Sequence, residues 1–205
     1  MRNLLTVVIG LFLTFNCSNT HTKDNKGQNI TQEDSSEQFD LLETNFIPDT
    51  IIGKISLINS QNVDSYLGND VMSTLNDDGL PNSSVISKDM KQRLTFYFHP
   101  GSKIKEFSEF HVSYNDGAKK NDITAEDAEF ISESGIKLGM SLDDFLIIKG
   151  EPDKLEKNKT TIYYYKIDEF ENSDFLKRYN MPIYYAEYEF EQDYLIAFKF
   201  GFEYP

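Results

Sequence analysis

Gly135-Ile-Lys-Leu-Gly-Met-Ser-Leu-Asp-Asp-Phe-Leu-Ile-Ile-Lys-Gly-Glu-Pro152 reads as one short helix with both of its ends specified. Ser141 and Asp144 form a Ser-x-x-Asp capping box, in which each side chain can satisfy a free backbone N–H at a helix start. Leu142, Phe145, Leu146 and Lys149 follow at helical spacing, so the three apolar side chains share one buried face. Gly150 suits the left-handed conformation that ends a helix, and Pro152 forbids continuation. The unit is a loop, a short helix and a sharp exit.

What the exit leads into is strand-rich and aromatic. Thr160 to Ile167 reads as one strand. Tyr184 to Phe190 reads as another, with Tyr184, Ala186, Tyr188 and Phe190 alternating against Tyr185, Glu187 and Glu189. Tyr194 to Phe202 is a third, with Ile196, Phe198, Phe200 and Phe202 inward, and Gln192-Asp193 fits a tight hairpin turn before it. Upstream, Arg93 to His99 places Leu94, Phe96 and Phe98 on one face, and Glu106 to Tyr114 alternates Phe110, Val112 and Tyr114. Strands joined by such short connections pair antiparallel. Asn76 to Ser84 reads as a turn-rich connection. Thr124-Ala-Glu-Asp127 is a second capping box, opening a short helix to about Ser132.

A weak repeat runs through this pattern. Gly53 and Gly135 share a register in which Asn59, a good N-cap residue, falls on Ser141, Val63 on Phe145 and Gly68 on Gly150. The fold class expected is therefore α+β, with two tandem units of short helices packed on an antiparallel sheet. Residues 43–118 form the first unit and 119–205 the second. The signature Gly135-x-x-Leu-Gly-Met-Ser-x-x-Asp-Phe … Lys-Gly-Glu-Pro-Asp153, followed by tyrosine-rich strands, resembles that of the SmpA/OmlA (BamE-like) small lipoproteins. It is also similar to the β-lactamase-inhibitor-protein-like fold, whose units occur in tandem. The resemblance implies helices on one sheet face and, for function, envelope assembly or inhibition of a secreted enzyme. It speaks to fold more than to activity.

The start of the chain speaks to location. Met1-Arg-Asn is a short positive segment, and Leu4 to Phe15 is an apolar run of the length of a signal-peptide core, too short for an ordinary membrane span. Cys17, the only cysteine, comes directly after it, an arrangement that resembles a bacterial lipoprotein signal with its acylated cysteine. Residues 1–16 are thus expected to be removed, and Cys17 to carry the lipid that attaches the protein to the membrane. Ser18 after it favours the bacterial outer membrane, on the periplasmic or cell-surface side. Residues 17–42 are polar and read as a flexible tether holding His21. With one cysteine, no intramolecular disulfide forms, so packing alone must stabilise the fold.

Of the 205 residues, 16 are Phe, 12 are Tyr and none is Trp, which fits a sheet-rich fold. Twenty Lys and Arg against 34 Asp and Glu give a net charge of -14. Such a surface repels phosphate backbones, which argues against nucleic-acid binding, and favours a basic partner.

Catalytic signatures are wanting. His99 and His111, on neighbouring expected strands, lack any His-x-His or His-Glu-x-x-His spacing, so no metal site is assigned. There is no Gly-x-Ser-x-Gly elbow, and Gly135-x-x-x-Gly139 lacks the lysine of a phosphate loop. No cofactor is expected. Asp143 and Asp144 read as one helix cap and one solvated carboxylate. The tyrosine cluster 163–165, 184–185 and 188 divides by strand alternation between core and surface. Tyr163 or Tyr164, with Tyr185, Glu187 and Glu189, would form the partner-binding face, since rings with a polar tip are favoured at interfaces. The expectation is a non-catalytic, lipid-anchored scaffold or binding module for another envelope protein. An inhibitor or sensor that binds a secreted enzyme is the alternative, and an enzyme the third reading.

Overall fold

The computed structural model describes residues 46–59, 63–67, 71, 75, 80–99, 106–117 and 122–203. In chain order the described elements are β1 (Ile51–Ile52), β2 (Ile55–Ser56), α1 (Val63–Leu67), β3 (Asn82–Ile86), β4 (Gln92–Phe98), β5 (Phe107–Tyr114), β6 (Ile123–Thr124), α2 (Leu142–Lys149), β7 (Lys154–Lys157), β8 (Thr161–Ile167), α3 (Asp174–Tyr179), β9 (Ile183–Glu191) and β10 (Tyr194–Glu203). The signal segment, Cys17, the tether and Gly68 lie outside the described residues.

Eight strands form one sheet in the order β6-β3-β4-β5-β10-β9-β8-β7, with β1 and β2 as a separate small hairpin. The pairs are antiparallel except β3 with β6, which is parallel. This corrects the expected architecture of two tandem helix-on-sheet units: the described fold is mostly β, a large mixed sheet with short helices. The reason lies at the β5–β10 seam, where Phe110 pairs with Phe200 and Val112 with Phe198. Each half contributes a meander whose apolar face ends at that seam. Left separate, both meanders would present an unpaired apolar edge, so joining them satisfies two rows of backbone groups at once. The outer edges are defended instead. β7 reads Lys-Leu-Glu-Lys, and β6 is two residues long.

One face of the sheet is covered. Leu94, Phe96, Phe110, Val112, Tyr188, Phe198 and Phe200 are among its buried side chains, and α2 and α3 lie over it. Phe145 of α2 sits 4.6 Å from the Tyr188 ring and 5.1 Å from Phe190, centroid to centroid. Phe175 of α3 packs edge-on to Tyr184 at 5.3 Å.

α2 forms within the stretch that specifies it. Ser141 Oγ accepts from the Asp144 N–H at 3.2 Å and donates to the Asp144 carboxylate at 2.6 Å. Gly150, at φ 71°, turns the chain out while its N–H donates to the Leu146 carbonyl.

Three further expectations need correction. Residues 125–131 are not helical, because Thr124 lies in β6, the Ala125 N–H donates to the Ile86 carbonyl, and the Phe130 N–H is taken by Gln92. The Asp127 carbonyl, which a helix here would have used internally, instead accepts from the Lys88 N–H. The turn-rich connection before Ser84 instead enters β3 at Asn82, with Ser83 buried and its hydroxyl bonded to the Val71 carbonyl. In β10 a bulge at Ile196 resets the alternation, so Leu195 rather than Ile196 points inward.

The chain entering each of the two glycine-marked stretches meets the other. The Gly53 N–H donates to the Ile131 carbonyl, the Glu133 N–H donates to the Ile51 carbonyl, and Ile52 bridges Ser132. Beside them Lys149, in the last turn of α2, reaches the Asp49 carboxylate at 2.7 Å and donates to the Ile47 carbonyl. Both charged side chains are fully buried.

Candidate functional site

Strand alternation that buries Phe96, Phe110, Phe198 and Tyr188 sends their neighbours to the opposite face of the sheet. No described segment lies over the centre of that face. Pairing registers arrange its side chains in cross-strand rows. One row runs Tyr97, Glu109, Gly201, Tyr185, Lys166, and the next runs Thr95, His111, Lys199, Glu187, Tyr164. A third carries Ala197, Glu189 and Ile162.

Within the first row, Gly201 lies between Tyr185 and Glu109, and the Tyr185 hydroxyl crosses it to donate to Glu109. The glycine is required by close approach, since a Cβ there would press on the Ser108 carbonyl oxygen and lie 2.7 Å from Glu109 Cα. Gly201→Ala therefore forces β5 and β10 apart, at a cost of about 1–3 kcal/mol. It is expected to lower the denaturant midpoint with an unchanged m-value. A midpoint equal to wild type would show that the strands separate freely there.

In the second row Lys199 pairs with Glu187 at 3.0 Å and lies 5.9 Å from the Tyr185 ring centre. Glu189, two residues along β9, accepts a 2.6 Å hydrogen bond from the Thr160 hydroxyl. Tyr164 donates to Glu156 at 2.9 Å. These bonds hold the long side chains in fixed positions over the strands. They surround a depression of about 320 Å³ bordered by Tyr97, Glu109, His111, Glu187, Glu189 and Lys199, with Ile162, Ala197 and Phe198 completing it.

Partial burial sets the electrostatics. It pushes the Glu109 carboxyl up from its ordinary range, against the opposing effect of the Tyr185 hydrogen bond. Burial, helped by the nearby Lys199 ammonium, pulls the His111 imidazole down, so neutral imidazole is favoured. Tyr185 is raised by burial and then by Glu109, which keeps its hydroxyl a donor.

Of the residues expected on a partner-binding face, Tyr185, Glu187 and Glu189 lie together on this open side. Tyr163 does not. It is buried on the covered side against Phe145 and Phe190, and Tyr164 occupies the outward place. The parity of β8 is fixed by its pairing with β9, where Tyr163 meets the inward Tyr188. Cys17 lies outside the described residues. His99 and His111 are not brought together: His111 pairs with Thr95, four positions along β4 from His99, about 13 Å at strand rise. Among the described residues no group of three His, Cys, Asp or Glu side chains is disposed to hold a metal ion, and no described helix is long and apolar enough to cross a membrane.

Glu109 and Lys199 belong to the face, although nothing local to their sequence marks them. Lys199 stands between the inward Phe198 and Phe200, and Glu109 stands one residue before the inward Phe110, which makes both outward. Only the long-range pairing of β5 with β10 sets them beside Tyr185 and Glu187.

The arrangement can hold a ligand by hydrogen bonding and charge. Its carboxylates are committed to Tyr185, Thr160 and Lys199, and no nucleophile with an adjacent base is built into it. No protein-family model matches the chain, and no curated protein or solved structure matches it either.

Proposed function

We propose that the protein is a non-catalytic lipoprotein of the bacterial outer membrane, anchored through Cys17, whose open sheet face binds another envelope protein. The observation that carries the binding reading is the preordered polar and aromatic row across β5, β10, β9 and β8. Half-buried tyrosine and glutamate side chains are fixed there by mutual hydrogen bonds, so little side-chain entropy remains to be lost when a partner docks. The signal-like start with its single cysteine supports anchorage, and the resemblance of Gly135–Asp153 to small envelope lipoproteins points to the same compartment.

Two measurements test it. Labelled palmitate should enter the wild-type chain and not Cys17→Ala, and the variant should leave the membrane fraction. A Cys17→Ala protein that stays membrane-bound would overturn the anchor. Cross-linking in intact membranes from a photoreactive residue at Tyr164 should capture a protein adduct that a probe at Glu126, outside the open-face rows, does not. Failure to recover an adduct under several growth conditions would count against the binding role.

A further inference from the structure

The centre of the open face breaks a local rule of sheet composition. Glutamate is disfavoured in strands, which favour β-branched and aromatic side chains. Yet Glu109 stands on β5, and Glu187 and Glu189 stand two residues apart on β9, all bordering one depression. Lys199 is the one ammonium among the described residues bordering it, and its Glu187 contact answers one of the three carboxylates. His111 is held toward its neutral form, so it adds little positive charge. Three carboxylates gathered in central strands give this depression an excess of negative charge that a cationic group would meet. The chain as a whole carries -14, which adds long-range attraction for a cation.

From this we propose that the open face docks an extended, arginine- or lysine-bearing segment of a protein partner, one cationic side chain entering the depression between Glu109, Glu187 and Glu189. The proposal rests on the protein-binding reading above and names the partner's chemistry. The depression has the dimensions of a small ligand pocket. The Tyr97 ring borders it and offers a face for a guanidinium to stack on. Glu187 and Glu189, two apart on one strand, match the spacing at which alternate side chains of an extended peptide project.

The test uses the full chain in detergent with a fluorescent hexa-arginine peptide, and hexa-glutamate and spermine as comparison probes. Hexa-arginine should bind, weaken as salt rises, and bind about tenfold or more weakly to Glu187→Gln/Glu189→Gln, since each well-placed charge pair is worth about that factor. Glu126→Gln/Glu171→Gln removes the same two charges away from the face and should change affinity by less than about threefold. Unfolding midpoints of the first variant should stay close to wild type, because the Lys199–Glu187 pair it removes is partly exposed and the amide oxygen at 189 still accepts from Thr160. If that variant fails to fold, Glu189→Gln alone, whose amide oxygen still accepts from Thr160, should show a weaker loss of the same sign. Equal losses in both double variants, no binding of hexa-arginine, or spermine binding as tightly as the peptide would each overturn the proposal. A membrane cross-linked partner recovered alongside a null peptide titration would leave the protein-binding reading standing and remove only the cationic segment.

Discussion

Lys149→Ala lowers the unfolding free energy by about 3–5 kcal/mol, the range expected when one member of a buried ion pair is removed. The ammonium reaches Asp49 at 2.7 Å with neither side chain exposed, and it donates to the Ile47 carbonyl. Asp49 also accepts from the Ser134 N–H and hydroxyl, and its own carbonyl accepts from Tyr184. Without Lys149 that carboxylate stays in the core with its charge unanswered. Segment 46–50, whose Phe46 stacks on Tyr165 at 4.5 Å, then loses its link to α2. Burial pulls the Lys149 pKa down more strongly than Asp49 raises it, so the charged pair is itself poorly solvated. Replacing both partners, as in Asp49→Leu/Lys149→Met, should therefore recover part of the loss, the remainder being the Ser134 and Ile47 hydrogen bonds that go with the pair. Guanidinium unfolding of the full chain measures both variants. A single-variant loss below about 1 kcal/mol would show that the pair contributes no more than a surface bridge.

Phe145→Ala should cost a similar amount, about 3–5 kcal/mol, by deleting a fully buried ring and leaving a cavity. The ring is the centre of an aromatic cluster, with Tyr163 at 6.0 Å and Tyr165 at 6.1 Å in addition to Tyr188 and Phe190. Its loss detaches α2 from β8 and β9 together. Ile147, on the same helix but 83% exposed, is the internal control. Ile147→Ala should stay within about 0.5 kcal/mol of wild type. Comparable losses at the two positions would mean that α2 does not dock through Phe145.

The periodicities that marked α2 and five of the strands are local, and those elements formed. Ser141, Phe145 and Gly150 act within a few residues of themselves, so their roles were legible. Elements with weaker local signals were missed: β3 carries Asn82-Ser-Ser84, and α3 spans six residues between Ser173 and Asn180. On the open face, Tyr185, Glu187 and Glu189 were identified by alternation, whereas the inward turn of Tyr163 depended on its register with Tyr188.

By itself, the sequence determined the short helix with its two stops, the alternation that sets Tyr185, Glu187 and Glu189 opposite Tyr184, Ala186 and Tyr188 along β9, and the excess of acid that shapes any partnership. These follow from backbone conformational preference and residue spacing, which act over a few positions. Only the tertiary structure decided that β5 and β10 join two meanders into one sheet, that Lys149 answers a carboxylate one hundred residues earlier, and that Glu109 and Lys199 complete the face. Such choices are settled by competition among distant segments for edges, apolar cover and charge, and no window of neighbouring residues contains the competitors.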